Sequence, residues 1–318
     1  MRTTCSVSLS SFWFWPDALL CLGVRDLGRM VIAETRRRVL SGQPPGACWA
    51  LEWDVVNRSA KDVEAREDVP VHPATVNDGA GSALVHRAVQ RAVRAYGAGT
   101  PCRVLDVGGG SGVWAVPLAT LGCQVTVVDP SPDALASLAR RAREAGASDR
   151  VTAVQGDVDC LGEVVAGGAA DVVLAHGVLE VVDEVPRAVE ALVSALTPGG
   201  VLSVLVAGRA AAVLHRALAG RLADAMHVLT DPDGRIGPGD PLLRRFDVDG
   251  LSTLLSGAGL DVELIQGDTV VADLLPSSVR ASASGAALAD LEAVASSVAP
   301  LREIASRLHA MARLPATS

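Results

Sequence analysis

Between residues 100 and 206, short apolar runs rich in β-branched residues alternate with helical patterns. Five runs predict strands, at 102–107, 124–128, 151–155, 171–175 and 200–206. Helical patterns lie between several of them, at 113–121, 132–144 and 185–196. Repeated strand–helix units predict parallel strands with helices on both faces of the sheet. Two later runs, 260–266 and 307–314, complete a predicted α/β fold with a doubly wound, mostly parallel, seven-stranded sheet.

Composition excludes several broad classes of protein. The chain has 318 residues, of which 49% are hydrophobic, and this excludes a disordered or fibrous protein. Its 28 basic and 36 acidic residues give a net charge of −8. Such a balance disfavours general binding to nucleic acid or to acidic membranes, although it allows a local basic patch.

The first 50 residues differ from the rest. The aromatic run at 12–15 and the Gly/Pro-rich run at 42–46 interrupt any sustained period. We expect residues 1–50 to be a disordered or non-native extension, with a membrane or partner anchor as the alternative, and residues 51–318 to form the folded domain. The apolar stretch at 18–24 is too short for a membrane span, and the six dispersed cysteines predict reduced thiols in a cytoplasmic protein.

A glycine-rich loop follows the first predicted strand and opens a helix. It begins with Asp106 and contains Gly108, Gly109 and Gly110. Glycines let the backbone approach a ligand closely, and a helix N-terminus presents unpaired N–H groups. Asp129 ends the second strand, where a carboxylate can accept both ribose hydroxyls. The pattern predicts an adenosine-containing ligand; a dehydrogenase cofactor and a merely structural turn are the alternatives.

Two features favour S-adenosylmethionine over a nicotinamide cofactor. The Asp106 carboxylate can support the ammonium of an aminoacyl group, whereas it would repel a pyrophosphate. The turn at 196–202 (LTPGGVL) resembles the one before the fifth strand of class I S-adenosylmethionine-dependent methyltransferases, which have a Rossmann-like fold.

Two further strand ends carry candidate residues. After the third strand, Asp157, Val158 and Asp159 lie where an adenine ring is expected. His176 ends the fourth strand near the expected position of the reactive methyl group. It is a candidate catalytic base or cofactor contact, with a core histidine as the alternative.

Three stretches together resemble the tRNA 5-carboxymethoxyuridine methyltransferase family, which esterifies the carboxylate of a modified wobble uridine. They are 103–110 (RVLDVGGG), 176–181 (HGVLEV) and 198–203 (PGGVLS). The resemblance implies S-adenosylmethionine as cofactor and tRNA as partner. By position it also implies a set of cofactor contacts, at Gly108, Gly109, Asp129, Val158, Asp159 and His176. The family's aromatic-rich substrate segments have no counterpart, since this chain has GRAA at 208–211 and APL at 299–301.

Residues 208–246, here named the lid segment, form the predicted helical insertion that binds substrate. The segment carries six arginines against four aspartates. Four of those arginines are hypothesised to bind a carboxylate or a phosphate: Arg209, Arg235, Arg244 and Arg245. An ionised carboxylate acceptor would need positioning and no base. A small-molecule O-, N- or C-methyltransferase and a non-catalytic S-adenosylmethionine-binding protein are the alternative functions.

Overall fold

The computed structural model describes residues 83–96, 100–282 and 284–316. The predicted extension at 1–50 lies outside these described residues. Within them, no helix combines the length and the apolar character that crossing a bilayer requires.

The core of the structure is a seven-stranded sheet with the order β3-β2-β1-β4-β5-β7-β6. Strand β7 pairs antiparallel with both β5 and β6, while the pairs among β1 to β5 are parallel. This confirms the predicted mostly parallel, doubly wound sheet. The strands are β1 (Arg103–Val107), β2 (Gln124–Asp129), β3 (Val151–Gln155), β4 (Ala170–His176), β5 (Leu196–Ala207), β6 (Asp261–Asp268) and β7 (Arg307–Arg313).

Helices cover both faces of this sheet. Apolar side chains of α1, α2 and α3 pack on one face, and those of α4, α5 and α8 pack on the other. The helices are α1 (Ala83–Tyr96), α2 (Ala115–Thr120), α3 (Pro132–Glu144), α4 (Leu161–Val164), α5 (Val185–Ala195), α6 (Arg209–Leu218), α7 (Leu222–Thr230), α8 (Val248–Gly257), α9 (Ser277–Ser282) and α10 (Gly285–Ala295).

Local sequence signals explain how closely the prediction matches the observed bounds. Helix α3 has its predicted limits because the Ser131 hydroxyl caps it, accepting from the Ala134 N–H at 3.2 Å, and Pro132 occupies its first position. Helix α2 is shorter than the predicted 113–121, because the glycine loop continues as a turn through Trp114. The lid segment contains α6 and α7, whose bounds the sequence did not define.

The carboxyl ends of β1, β2, β4 and β5 meet at one edge of the sheet. Asp129 and His176 are the last residues of β2 and β4, and Ala207 ends β5. The lid segment leaves the sheet at this edge and returns to it, because Gly208 and Phe246 form a parallel β-bridge. Open α/β sheets bind ligands at this edge, so the fold brings together the glycine loop, His176 and the lid segment.

Candidate functional site

The glycine loop turns tightly away from β1. The Gly108 N–H donates to the Val128 carbonyl at 2.7 Å, and Gly108 has a φ of +68°. A Cβ at Gly108 would lie 2.8 Å from Val178 Cγ2, so the loop packs directly on the residues that follow β4. Gly112 has a φ of +79°, and a Cβ there would collide with Leu138. These positions need glycine for both space and conformation.

Asp129 holds the loop from the neighbouring strand. Its Oδ2 accepts from the Gly110 N–H at 2.8 Å, and its Oδ1 accepts from the Ser131 N–H at 2.9 Å. An ionised carboxylate offers about four acceptor positions, so about two remain for a ligand. Asp129 can therefore anchor the loop and accept two further donors at once.

Asp106 lies beneath the loop and is 1% exposed. A Cβ at Gly109 would lie 2.5 Å from Asp106 Cγ, so the carboxyl directly contacts the loop backbone. Its Oδ2 is buried without a hydrogen-bond partner in the described chain. Burial, and then the nearby Asp129 carboxylate, raise the pKa of Asp106 to about 7. A ligand cation beside Oδ2 would supply the missing partner and favour the ionised form.

His176 ends β4 among other rings. The ring contacts Trp114 edge-on at a centroid distance of 4.6 Å, and Trp114 in turn stacks on His86 at 4.0 Å. His176 Nε2 lies 2.9 Å from Ser203 Oγ. Burial, followed by the neighbouring His309, lowers the pKa of His176 well below its usual value. The imidazole is therefore neutral at pH 7.

Two ring nitrogens at this position are buried and have no partner among the described residues. They are His176 Nδ1 and Trp114 Nε1. Leaving a buried polar group unpaired costs about 1–3 kcal/mol, so a bound molecule that pairs with it is stabilised. Together with Asp106 Oδ2, three unpaired polar atoms lie near one edge of the sheet.

The turn after β3 has a mixed character. Val158 is buried, whereas Asp157 and Asp159 are exposed. The Asp157 Oδ1 accepts from the Cys160 N–H at 3.0 Å, which closes the turn. The expectation that this turn contacts adenine stays a prediction.

Three of the four candidate substrate arginines make contacts within the protein. The Arg209 guanidinium caps the end of α7, donating to the carbonyls of Val228 at 3.3 Å, Leu229 at 3.0 Å, Pro232 at 3.2 Å and Asp231. The Arg244 guanidinium donates to the carbonyls of Leu179 at 2.9 Å, Val182 and Asp183 at 3.1 Å. These contacts give both side chains structural roles, and their hypothesised contact with substrate stays a prediction.

Arg245 is buried in an ion pair. Its side chain is 7% exposed, and its Nη1 lies 2.5 Å from Oδ2 of Asp240, which is fully buried. Arg235 differs from the other three, because its Nε is buried without a hydrogen-bond partner in the described chain. Of the four hypothesised substrate arginines, Arg235 is the one with a buried donor atom that has no partner among the described residues.

Glu180 was not singled out in the sequence, although it connects three parts of the site. It is 4% exposed, and its Oε1 accepts from the Ala207 N–H at 2.8 Å. Its backbone carbonyl accepts from the Leu243 N–H at 2.8 Å, which attaches the lid segment to the residues after β4. Burial raises the pKa of Glu180 to about 7. The sequence contains a signal for this burial, since Glu180 is an acidic residue that directly follows the apolar residues Val178 and Leu179, which are expected to enter the core.

Comparison with known proteins identifies the domain that this edge belongs to. Residues 105–202 match the family model described as a methyltransferase domain. This match covers about a third of the chain, and over these residues the chain is similar to a methyltransferase domain. Its strand order, with β7 reversed between β5 and β6, differs from the dinucleotide-binding order 3-2-1-4-5-6, and this separates it from the dehydrogenase alternative.

Curated relatives match over the same region. One, 34% identical over 121 residues, is the tRNA 5-carboxymethoxyuridine methyltransferase of Escherichia coli (strain K12), with 37% of this chain and 45% of the relative covered. Another, 38% identical over 104 residues, is the ubiquinone biosynthesis O-methyltransferase of Methylocella silvestris, with 31% of this chain and 38% of the relative covered. The chain spans less than half of the length of these relatives.

Solved structures have similar folds at low identity. An S-adenosylmethionine-dependent methyltransferase from Mesorhizobium loti matches with a TM-score of 0.49 and 19% identity, covering 73% of this chain and 98% of that chain. The [4+2]-cyclase SpnF matches with a TM-score of 0.48 and 21% identity, covering 73% and 81% of the two chains.

The similarity to a methyltransferase domain implies S-adenosylmethionine as cofactor, and the residues at this edge fit it. Asp129 has acceptor capacity for two hydroxyls, and the unpaired Asp106 Oδ2 suits an ammonium group. A surface cleft of about 500 Å³ lies elsewhere, beside Cys102 and Cys123, which precede β1 and β2. That cleft is at the opposite ends of the strands from the glycine loop and is not part of the site.

Proposed function

We propose that this protein transfers the methyl group of S-adenosylmethionine to an acceptor bound between the glycine-loop edge and the lid segment. One observation carries the proposal most strongly. Two buried polar atoms without partners among the described residues, Asp106 Oδ2 and His176 Nδ1, lie at the sheet edge where this fold binds ligands, the same edge at which Asp129 ends β2. A protein that bound nothing here would bear their desolvation cost without compensation.

Each cofactor group has a residue suited to it. Asp129 accepts from the ribose hydroxyls, and Asp106 pairs with the ammonium. Ionisation of Asp106 then follows binding, because a cation opposes the burial that raises its pKa. Asp157, Val158 and Asp159 are proposed to contact the adenine.

The chemistry needs little acid–base assistance from the chain. When bound, S-adenosylmethionine supplies an already activated methyl group. The protein then has to align the acceptor and exclude water, which are the contributions of positioning and desolvation. A carboxylate acceptor is ionised at pH 7 and needs no base. A neutral, partly buried His176 fits a hydrogen-bonding role in such a site better than the role of catalytic base.

For the acceptor, we propose the carboxylate of 5-carboxymethoxyuridine in tRNA. Support comes from the similarity to the tRNA 5-carboxymethoxyuridine methyltransferase of Escherichia coli (strain K12), at 34% identity over 121 residues. Arg235, with its unused Nε, is the lid-segment group best suited to an acceptor carboxylate.

A small hydroxyl-bearing molecule is the second candidate acceptor. Two observations favour it. The side chains of Arg209, Arg244 and Arg245 are engaged inside the protein, so they add little to an RNA-binding surface. The chain also has a net charge of −8. Similarity to the ubiquinone biosynthesis O-methyltransferase of Methylocella silvestris is consistent with this acceptor.

The test supplies purified protein with S-adenosylmethionine carrying an isotopically labelled methyl group. One reaction contains tRNA bearing unmethylated 5-carboxymethoxyuridine, and a parallel reaction contains a panel of small hydroxyl-bearing molecules. Nucleoside mass spectrometry should detect a labelled methyl ester in the tRNA. Label only in a small molecule would establish the second acceptor. Cofactor binding without label in any acceptor would indicate a non-catalytic binding protein.

A further inference from the structure

A line of hydrogen-bonded polar side chains crosses the sheet beneath the site, from β4 to β6. His176 Nε2 lies 2.9 Å from Ser203 Oγ, which lies 2.9 Å from His309 Nε2. His309 Nδ1 lies 3.0 Å from Gln266 Nε2. Ser203 and His309 are fully buried, and Gln266 is 6% exposed. We name these four side chains the relay.

Strand register explains why the relay is continuous. Gln266 pairs with His309 across β6 and β7, and His309 pairs with Leu205 of β5. Ser203 lies two residues before Leu205 and therefore on the same face of the sheet. One polar residue from each of four strands thus projects onto a single face, among apolar neighbours.

The donors and acceptors of the relay can be assigned in order. An amide nitrogen only donates, so Gln266 Nε2 donates to His309 Nδ1. Burial lowers the pKa of His309 to about 4, so the ring is neutral and carries its proton on Nε2. That N–H donates to Ser203 Oγ. Among the described residues, the two histidine nitrogens are the hydrogen-bond partners of Ser203 Oγ, so its O–H donates onward to His176 Nε2.

We propose that the relay fixes His176 as the Nδ1–H tautomer and thereby presents a neutral N–H donor to a carboxylate of the bound ligand. Ser203, His309 and Gln266 act through His176 and are positioning residues. The Nδ1 atom is the end of the relay that has no partner in the described chain. A ligand that accepts from this atom would extend the line of hydrogen bonds at its β4 end.

A second donor supports a carboxylate as the group recognised. Trp114 Nε1 is a donor only, is buried and has no partner among the described residues, and its ring contacts His176. The indole also stacks on His86, which helps to orient it. Two neighbouring rings with unused N–H groups suit a carboxylate, which accepts through both oxygens. The inference rests on the proposed function for the source of that carboxylate, which is either the cofactor's amino-acid part or the acceptor.

The tautomer can be measured without any ligand. Long-range ¹H–¹⁵N correlation spectra of the full chain, labelled at its six histidines, report which nitrogen of each ring is protonated. His176→Gln and His309→Gln variants assign the signals. The proposal predicts that the neutral His176 ring is protonated on Nδ1 and that His309 is protonated on Nε2. A His176 ring protonated on Nε2 would overturn it.

Variants test whether the relay causes this state. Gln266→Glu replaces the terminal donor with an acceptor, so the direction of every bond should reverse and His176 should become protonated on Nε2. Ser203→Ala breaks the line and should leave a mixture of tautomers, whereas Ser203→Thr keeps the hydroxyl and should retain the native state. An unchanged His176 signal in a folded Gln266→Glu or Ser203→Ala variant would contradict the relay. If either variant fails to fold, a Ser203→Thr protein without the Nδ1–H tautomer would also contradict it.

Binding assays identify the ligand carboxylate. Ser203→Ala should weaken S-adenosylhomocysteine binding about 3- to 10-fold, the equivalent of one neutral hydrogen bond, but leave 5′-methylthioadenosine, which has no carboxylate, unaffected. An effect confined to the KM of the acceptor would place the carboxylate there. Equal affinities and KM values in wild type and Ser203→Ala would overturn carboxylate recognition. Wild-type protein that binds no S-adenosylhomocysteine would instead defeat the proposed function, while the tautomer result stands.

Discussion

Two aspartates at the glycine-loop edge and three arginines of the lid segment use their charged groups in opposite ways. At the loop, Asp106 Oδ2 has no partner among the described residues, and Asp129 keeps acceptor capacity beyond its two backbone contacts. In the lid segment, the guanidinium groups of Arg209, Arg244 and Arg245 bind carbonyls or a carboxylate of the same chain. The contrast holds for these side chains and not for the whole segment, since buried nitrogens of His215, Arg216 and Arg235 also have no partner among the described residues.

The difference has a structural cause. Asp106 and Asp129 lie on strands whose position is fixed by the sheet. The lid segment contributes no strand, and its helices α6 and α7 are short. Arginine side chains supply the interactions that connect its loops to each other and to the residues after β4. The following four predictions test this contrast, from the largest expected effect to the smallest.

Arg245→Ala should have the largest effect on stability. It leaves the fully buried Asp240 carboxylate without its cation, which costs about 3–5 kcal/mol. Hydrogen exchange should accelerate across the lid segment in particular, and the melting temperature should fall. A double variant, Arg245→Met with Asp240→Asn, removes both charges but keeps an amide oxygen for the backbone N–H groups that Asp240 binds, and it should recover part of the lost stability. Unchanged exchange in the lid segment would mean that Arg245 is available for substrate.

Asp106→Asn should alter the pH dependence of stability. The folded-state pKa of about 7 is above the unfolded value, so the folded protein binds an extra proton between about pH 4 and pH 7 and loses stability as the pH rises. The variant avoids this loss. Its advantage in free energy of unfolding should grow across that range to about 4 kcal/mol at most. Chemical denaturation at several pH values measures it.

The same variant should weaken binding of S-adenosylmethionine, because an amide cannot pair ionically with an ammonium. If the variant gains stability at pH 8 but its affinity for S-adenosylmethionine is unchanged, Asp106 does not contact the cofactor. If the difference in free energy of unfolding between variant and wild type is the same at all pH values, the buried carboxyl does not titrate in this range.

Asp129→Ala should weaken cofactor binding by about 1–3 kcal/mol, since it removes charged hydrogen bonds to the ribose and releases the Gly110 N–H. Asp129→Asn, which keeps one acceptor oxygen, is the matched control and should lose less. Calorimetric titration with S-adenosylhomocysteine makes the comparison. Equal affinity in wild type and the alanine variant would mean that the ribose binds elsewhere.

Arg221→Ala should change stability by less than about 0.5 kcal/mol. Arg221 pairs with Asp224 on the surface of α7, where its side chain is 52% exposed. It is the exposed counterpart of the buried Arg245–Asp240 pair within the same segment. If Arg221→Ala lowers the free energy of unfolding as much as Arg245→Ala does, burial does not determine how much these arginines contribute to stability.

Sequence reasoning predicted the sheet well because local signals define its elements. The capped start of α3, the glycines after β1 and the Pro-Gly-Gly turn in β5 each constrain the backbone within a few residues. The position of Asp129 beside the loop follows from parallel strand order, which alternating strands and helices predict. The position of β7 between β5 and β6 could not be predicted in this way, because no local sequence signal defines the strands with which β7 pairs.

The arginine hypotheses and the relay show what local patterns do not contain. Whether Arg209 contacts a substrate or the end of α7 depends on where two helices of the lid segment meet. Ser203 and His309 read as isolated polar residues in apolar strands, and they become neighbours only through the antiparallel pairing of β5 with β7. The sequence signal for Ser203 and for His309 is a polar residue at a strand position whose neighbours predict that it faces the core.

A crystal structure of the protein with bound S-adenosylhomocysteine tests the central claim most directly. The account predicts that both ribose hydroxyls donate to Asp129, that the ammonium lies against Asp106 Oδ2, and that a carboxylate oxygen lies within hydrogen-bond distance of His176 Nδ1 or Trp114 Nε1. A ligand that leaves Asp106 and Asp129 without new partners, or that occupies the cleft beside Cys102, would contradict it.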